Sequence, residues 1–339
     1  MKWTRLEQKG QVPLARSSHS ITAVGGTCYV FGGEHEPRTP IDSVLSEYDL
    51  ERGQWAQRAC TGEEPSPRVA HTAAVVGQSL YIFGGRSGIE MGEGSTNELY
   101  KLDLSSHTWS QVAATGPLPE PRSFHAMVSV KGKLYVFGGC GTSGRLSDLH
   151  SFDCEIGSWE QLPSSEAIQG RGGAGLVVSA SGDSLFVIGG FAGHELNDVH
   201  RFNLATGAWD CPKCCTGNAR ERWSELPARS VFGVGLHECS ACAHGGHLVL
   251  FGGEVDPSDK GHAGAGQFSN DTYCYEPGKA DGCRYGGWHR LQVDSNSVLP
   301  TPRGWFAACA TAQGLLVHGG TSPSNERHSD MYLLDLHSH

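Results

Sequence analysis

The sequence has little charge, no long apolar run and no basic stripe. Charged residues make up 18% of the 339 positions, and no apolar segment approaches the roughly 18 residues that a membrane-spanning helix needs. The first ten residues also lack the apolar stretch of a secretory signal peptide. The formal net charge is -10, which disfavours contacts with phosphates. We therefore expect a soluble, cytoplasmic protein that binds neither nucleic acid nor membranes.

Apolar stripes with a helical period are scarce, whereas glycine is abundant at 47 residues. Short strands joined by tight turns have this composition. Twelve cysteines would suit a disulfide framework in a short secreted chain, but in a cytoplasmic protein we expect free thiols or metal ligands. The composition thus favours an all-β protein.

A repeat of about 50 residues fills the chain. Each unit contains Pro-Arg-x-x-His or a variant, a strand, a second strand that ends in Gly-Gly, a loop, a third strand and a tryptophan. The last unit stops without its tryptophan, and residues 2–6, which include Trp3, are predicted to supply the missing fourth strand. Such closure leaves no exposed sheet edge between the first and last units. The six glycine pairs are Gly32-Gly33, Gly84-Gly85, Gly138-Gly139, Gly189-Gly190, Gly252-Gly253 and Gly319-Gly320.

This period and its glycine and tryptophan signature resemble the kelch repeat. The resemblance covers the whole chain and implies a six-bladed β-propeller, with residues 1–339 forming a single domain closed by the N-terminal strand. In such a blade, the glycine pair allows a sharp turn where a Cβ would clash, and the tryptophan packs one blade onto its neighbour.

One arginine opens the innermost strand of every unit. Because side chains alternate along a strand, the arginine and the residue two positions later are expected to point the same way, toward the mouth of the channel. A ring of guanidinium groups would attract small anions, and Arg68 and Arg303 are expected to line a substrate pocket. The same arginines could instead bond carbonyls and carboxylates between blades. The arginines are Arg16, Arg68, Arg122, Arg171, Arg229 and Arg303, and the residues two positions later are Ser18, Ala70, Phe124, Gly173, Val231 and Trp305.

The loop after the fifth glycine pair holds a cluster of metal-type ligands. Glu254, Ser258 and His262 are spaced four residues apart, so a helical course would place them on one face. A carboxylate and an imidazole on one face would suit a non-haem iron(II) centre with room for exogenous ligands. Asp259 could replace Ser258 as a ligand if the loop is irregular.

In the spacing of Glu254 and His262, the loop resembles that of the plant nitrile-specifier, epithiospecifier and thiocyanate-forming proteins. Those proteins carry Glu-x-x-x-Asp-x-x-x-His, and this chain has Ser258 in place of the Asp. The resemblance implies an iron(II)-dependent lyase or isomerase that acts on a small anionic, sulfur-containing substrate such as a glucosinolate aglucone. It also implies catalytic roles for Glu254 and His262. Further residues that match the family are two arginines for the substrate's sulfate and two aromatics for the pocket wall, namely Arg86, Arg145, Phe124 and Trp305.

Two other functions are compatible with this sequence. A kelch interaction module could bind an acidic peptide at the same arginine-bearing face. Independently of that choice, Arg86 and Arg145 could pair with local carboxylates instead of a sulfate. A copper-radical oxidase would need an added ligand-bearing domain, for which six blades leave no length. The fold alone does not choose among these functions.

A second cluster consists of two C-x2-C pairs. Their spacing suits a structural zinc site with four thiolate ligands, and each pair falls in an insertion that can reach the face opposite the Glu254 loop. Free thiols and disulfides are the alternatives. The candidate ligands are Cys211, Cys214 or Cys215, Cys239 and Cys242, with Cys283 as a possible competitor.

Overall fold

The computed structural model describes residues 1–89, 92–211, 226–237, 247–258, 266–276 and 287–336. These residues form strands, turns and bends without a helix, which confirms the all-β prediction. The described part of the chain accordingly holds no helix that could cross a membrane.

The first half of the chain forms the N-terminal strand and blades 1 to 3. The N-terminal strand is β1 (Lys2–Arg5), followed by the short β2 (Lys9–Gly10). Blade 1 contains β3 (Ser20–Val24), β4 (Thr27–Phe31), β5 (Leu45–Asp49) and β6 (Gln54–Arg58), followed by the short β7 (Thr61–Gly62). Blade 2 contains β8 (Thr72–Val76), β9 (Ser79–Phe83), β10 (Leu99–Asp103) and β11 (Thr108–Gln111), and blade 3 contains β12 (Ala126–Val130), β13 (Lys133–Cys140), β14 (Arg145–Asp153) and β15 (Ser158–Gln161).

The second half forms blades 4 to 6. Blade 4 contains β16 (Gly175–Val178), β17 (Ser184–Phe191), β18 (Glu195–Asn203) and β19 (Ala208–Asp210). Blade 5 contains β20 (Gly233–His237), β21 (His247–Phe251), β24 (Thr272–Glu276) and β25 (Gly287–Arg290), with a separate ribbon of β22 (Glu254–Asp256) and β23 (Gln267–Phe268). The last strands are β26 (Ala307–Thr311), β27 (Gly314–His318) and β28 (Met331–Asp335).

The N-terminal strand completes blade 6, as predicted. The strand order of that sheet is β1-β28-β27-β26, and Trp3 pairs with Leu334. The Trp3 side chain is fully buried, and its indole N–H donates to Thr272 Oγ1 of blade 5 at 3.2 Å. The ring is therefore closed by backbone pairing between the start and the end of the repeat array, and the six-bladed propeller is confirmed.

The glycine pairs and the tryptophans act as the repeat predicts. At Gly85 the φ angle is 92°, and a Cβ there would lie 2.8 Å from His71 Cβ, so a side chain would not fit. Four tryptophans each pack against a ring of the preceding blade, which joins neighbouring sheets through apolar contact. These pairs are Trp55 with His318, Trp109 with Phe31, Trp159 with Phe83, and Trp209 with Phe137.

All six repeat arginines are buried. Arg68 is 1% exposed and donates to the carbonyl of Gly84 and to Glu98, while Arg303 is 0% exposed and donates to the carbonyl of Gly319 and to Asp330. The prediction that Arg68 and Arg303 line a substrate pocket is therefore wrong, because both guanidinium groups are buried and bonded within their own blades. The backbone carbonyls of these arginines link the blades, since Gly33 N–H donates to Arg68.

The alternation argument fails for a local reason. The innermost strands begin four residues after each arginine, and the residues two positions after it, apart from Val231, adopt left-handed backbone, as at Phe124 (φ 53°) and Trp305 (φ 49°). These residues turn inward and line a central cavity of about 210 Å³. Their N–H groups donate to the equivalent carbonyl of the previous blade, as in Phe124 to Ala70. The histidines that follow are buried and structural: His71 bonds to Ser20, and burial lowers its pKa to about 3.

Candidate functional site

The residue after each glycine pair lies at the mouth of the channel. Its backbone pairs with the residue that follows the repeat arginine, so the fold presents one such side chain per blade to the same end of the ring. The six residues are Glu34, Arg86, Cys140, Phe191, Glu254 and Thr321. Any chemistry at this end is therefore selected by one position of the repeat and by the loop that follows it.

A cavity of about 280 Å³ opens at this mouth between blades 3, 4, 5 and 6. It brings together five residues that the sequence singled out, and it adds a thiol and two more aromatic rings. The residues from the prediction are Phe124, Arg145, Glu254, Ser258 and Trp305, and the added ones are Cys140, Phe191 and Phe232. A pocket of this size, mostly apolar with a few polar groups, suits a small ligand.

Glu254 starts strand β22 and is 8% exposed. It pairs with Phe268 in the ribbon, so the helical course proposed for this loop is wrong at its first residue. The carboxyl lies against Gly266, where a Cβ would come within 2.3 Å of Oε1. Among the residues that the structure describes, the Glu254 carboxyl has no hydrogen-bond partner. Burial, followed by repulsion from Glu195 and Asp256, raises the pKa of Glu254 to about 7.

Arg145 contributes the positive charge of the pocket. It starts β14 as the cross-strand partner of Cys140, and its guanidinium carbon lies 4.7 Å from the centre of the Phe191 ring. Within the described part of the chain, no carboxylate forms an ion pair with Arg145, and its Nε is buried without a hydrogen-bond partner. An unpaired guanidinium beside aromatic rings is a strong site for an oxyanion.

Arg86 lies elsewhere. It is 3% exposed, donates to the carbonyl of Ile89 at 3.2 Å and stacks on Phe124 at 5.4 Å. Its side chain lines a small adjoining cavity together with Arg38, Phe124 and Trp305. The two predicted sulfate-binding arginines therefore lie in different places. Arg145 lines the larger pocket, whereas Arg86 stacks on Phe124, whose ring lines that pocket.

Four aromatic rings line the cavity, and a fifth, Phe268, packs against one of them. Trp305 packs edge-to-face against Phe268 and Phe232, with ring centroids 5.5 Å and 6.3 Å apart, respectively. Phe268 in turn packs on Gly304, where a Cβ would lie 2.4 Å from the ring. Phe124 and Phe191 complete the wall on the side of blades 3 and 4. These rings shield the two polar groups from water and strengthen their electrostatic interactions.

Cys140, Phe191 and Phe232 also line the cavity, although the sequence pattern does not predict them. Cys140 is 6% exposed, and burial raises the pKa of its thiol against the opposing charges of Arg145 and Arg86. Cys140 and Phe191 could have been predicted from the repeat, because each directly follows a glycine pair, as Glu254 does.

The metal predictions fall largely outside the described residues. Asp259 and His262 lie there, as do Cys214, Cys215, Cys239 and Cys242. Cys211 is described as an exposed thiol whose Sγ lies 3.4 Å from the carbonyl oxygen of Val199. Across the described ranges, no group of three or more His, Cys, Asp or Glu side chains is arranged to hold a metal ion. Of the four residues predicted to hold iron, the structure describes Glu254 and Ser258, and both line the pocket.

Comparison with known proteins gives consistent matches. The KLHDC2/KLHL20/DRC7 Kelch-repeats domain matches residues 18–225. The N-(sulfonatooxy)prop-2-enimidothioate sulfolyase of Thlaspi arvense is 31% identical over 352 residues, which cover 99% of this chain and 97% of that protein. Kelch domain-containing protein 3 of Rattus norvegicus is 25% identical over 99% of this chain and 74% of its own length.

The solved structure of YjhT aligns with a TM-score of 0.69 at 18% identity, over 94% of this chain and 95% of that one, a likeness of fold alone. The family match and the full-length similarity to the Thlaspi arvense protein agree with the six blades and the glycine pairs described above. The chain therefore belongs to the kelch-repeat family of β-propellers, as a relative of the plant nitrile-specifier-type proteins.

Proposed function

We propose that the chain is a nitrile-specifier-like, iron(II)-dependent carbon–sulfur lyase for a small anionic, sulfur-containing substrate such as a glucosinolate aglucone. The observation that carries the proposal is Arg145, an unpaired guanidinium among the described residues that faces a pocket lined by aromatic rings. By its name, the Thlaspi arvense relative acts on an N-sulfonatooxy imidothioate, which carries a sulfate ester. A guanidinium can bind two sulfate oxygens at once.

The pocket suggests an orientation for such a substrate. With its sulfate on Arg145, the apolar side chain of the substrate would lie against Phe124 and Trp305, and the carbon–sulfur group would lie in the part of the cavity lined by Glu254 and Cys140. Arg145 would stabilise the charge that develops on the departing sulfate, because a fixed cation in a dry pocket needs no reorganisation during the reaction. The aromatic wall would exclude water from the reacting carbon.

Iron(II) is part of this proposal. Glu254 fits the role of a hard oxygen ligand, because it is buried in the pocket and has no hydrogen-bond partner in the described part of the chain. Its proposed co-ligand is His262, with Asp259 or a water in place of the family's Asp at Ser258. When bound, iron(II) would supply a Lewis acid next to the substrate's sulfur.

The proposed function is tested by product analysis. Purified protein, loaded with iron(II) without oxygen, is mixed with allyl glucosinolate and a β-thioglucosidase, and nitrile and isothiocyanate are measured by gas chromatography. We expect the protein to divert the aglucone to nitrile and Arg145→Gln to lower the nitrile share by roughly tenfold or more. Arg201→Gln, which removes an exposed arginine paired with Asp210, is the matched control and should leave the product ratio unchanged. An identical ratio with and without the protein would contradict the proposal.

A second candidate is a kelch interaction module for an acidic peptide. The observation that favours it is the placement of Arg38, Arg86 and Arg145 in or next to the loops after the glycine pairs of three successive blades, at one mouth. Binding of a fluorescent poly-glutamate peptide would be measured beside the product assay. Peptide binding that depends on Arg145, together with a silent product assay, would favour this role. In both readings, we propose that the protein acts in the cytoplasm.

A further inference from the structure

The pocket contains a nucleophile that the proposed function leaves unused. Cys140 ends β13 and pairs directly with Arg145 at the start of β14. Cross-strand partners of an antiparallel pair project from the same face, with Cα atoms about 4.5–5.5 Å apart. The thiol also lies 3.0 Å from the point where a Cβ on Gly172 would stand, so the absence of a side chain there leaves it room. A ligand held on Arg145 would therefore lie beside Sγ.

A second group in the same cavity indicates that a ligand belongs there. Glu254 is 8% exposed and lines this cavity, and its carboxyl has no hydrogen-bond partner among the described residues. A buried polar group without a partner is costly unless something else completes its bonding. The cavity thus offers an anion site, a polar group to be satisfied and a thiol close to the anion site. Burial keeps Cys140 as a thiol at rest, and the charges of Arg145 and Arg86 oppose that effect in part.

We propose that Cys140 accepts the sulfur atom that the substrate loses, as a cysteine persulfide; this inference rests on the proposed function. The resting thiol first gives its proton to solvent. The thiolate then attacks the substrate's sulfur, and an S–S bond forms as the C–S bond breaks. The electron pair of the C–S bond becomes the third bond of the nitrile, and the N–O bond breaks with its pair as sulfate leaves.

The step balances without an outside oxidant. One thiolate and one N-sulfonatooxy imidothioate dianion give one nitrile, one persulfide anion and one sulfate dianion. The sulfur pair is oxidised by two electrons, and the N–O bond is reduced by the same two. For a further turnover, a small thiol such as glutathione takes the outer sulfur as its own persulfide and returns Cys140 to the thiol.

A single-turnover experiment tests this step. Iron(II)-loaded protein in excess over the aglucone, without a small thiol, is quenched with iodoacetamide and its cysteine peptides are weighed by mass spectrometry. We expect the Cys140 peptide to gain one sulfur atom in proportion to the nitrile formed, and the peptide with half-buried Cys154 to gain none. Cys140→Ser should form no persulfide, and its rate of nitrile formation should fall by roughly tenfold or more. Cys154→Ser should match the wild type.

The outcomes separate the two proposals. Nitrile without sulfur on Cys140 of the wild-type protein would overturn the persulfide while leaving the lyase intact. Full nitrile formation by Cys140→Ser would do the same. No nitrile from the wild type would overturn both. The wild-type peptide masses decide the question even if the serine variant folds poorly.

Discussion

Glu254 combines burial, neighbouring carboxylates and an open cavity at a single residue. With a pKa of about 7, the carboxyl is only partly ionised near neutral pH, and a cation placed beside it would favour the ionised form. Its sequence neighbour Ser258 lines the same cavity but offers a neutral hydroxyl. A weak site with two protein ligands is therefore expected, and one added carboxylate should strengthen it.

We predict that Ser258→Asp tightens iron(II) binding by about tenfold or more and that His262→Ala abolishes it. Affinity is measured without oxygen by competition with a coloured chelator. His35→Ala serves as the control, because His35 lies in the corresponding loop of blade 1 and bonds to the carbonyl of Ala15. If wild type, Ser258→Asp and His262→Ala bind iron(II) alike, the loop is not a metal site and the interaction-module function is favoured.

The candidate site could be predicted in part because the repeat marks its positions. Arg145, Phe124 and Trp305 match the family pattern, and all three line the cavity. Cys140 and Phe191 were missed, although they occupy the repeat position of Glu254, because thiol and phenyl side chains have no distinctive ligand spacing. Phe124 lies between Arg86 and the pocket because its backbone is left-handed, and the alternation of side chains along a strand does not predict this conformation.

At the scale of elements, the N-terminal strand is the closing piece of blade 6. We predict that deleting residues 1–8 lowers the melting temperature sharply, and that Trp3→Ala alone costs about 3–5 kcal/mol, because the indole is fully buried. Thr4→Ala is the control on the same strand, since its side chain is exposed. Thermal unfolding followed by circular dichroism measures both. An unchanged melting curve for the deletion would show that β1 is dispensable.

The cysteine pairs make a separate prediction about two insertions. We propose that one zinc ion is held by Cys211, Cys214, Cys239 and Cys242, with Cys215 as the alternative in the first pair. Elemental analysis should then find close to one equivalent of zinc, and Cys239→Ser should lose both the zinc and thermal stability, because a closed four-thiolate site contributes to folding. Cys60→Ser is the control. Protein with almost no zinc and an unaffected Cys239→Ser would dismiss the site.

For the whole molecule, the number of blades and the mode of closure follow from the repeat, since glycine pairs, tryptophans and the missing last strand are all visible in the sequence. The role of the arginines did not follow. Arg122 donates to the carbonyl of Gly138 and to both oxygens of Asp148, while its own carbonyl accepts from Gly85 of blade 2. These partners lie 16 or more residues from Arg122 in the sequence. The sequence therefore does not predict that the arginines form a buried hydrogen-bonded framework within and between the blades.

That framework predicts how the propeller responds to acid. Although burial alone raises the pKa of Asp148, hydrogen bonds from Arg122 and His150 lower it well below its usual range. Against the same effect of burial, hydrogen bonds from His200 and Arg171 lower the pKa of Asp198, and a hydrogen bond from Arg303 lowers that of Asp330. A depressed folded-state pKa gives stability that is present above the unfolded value, about 3.9 for aspartate, and is lost as the pH falls toward the folded value.

We therefore expect the melting temperature to fall steeply below about pH 4, as the aspartates of blades 3, 4 and 6 take up protons. Asp148→Asn should cost about 3–5 kcal/mol at pH 7, because it leaves the buried Arg122 without its counter-charge, and should lose less on acidification. Asp210→Asn removes an exposed pair with Arg201 and should change stability by about 1 kcal/mol or less. Thermal unfolding from pH 7 to pH 3 measures all three proteins. Asp148→Asn has no carboxylate at this position to protonate. If its melting temperature falls with pH in parallel with that of the wild type, protonation of Asp148 does not cause the acid sensitivity.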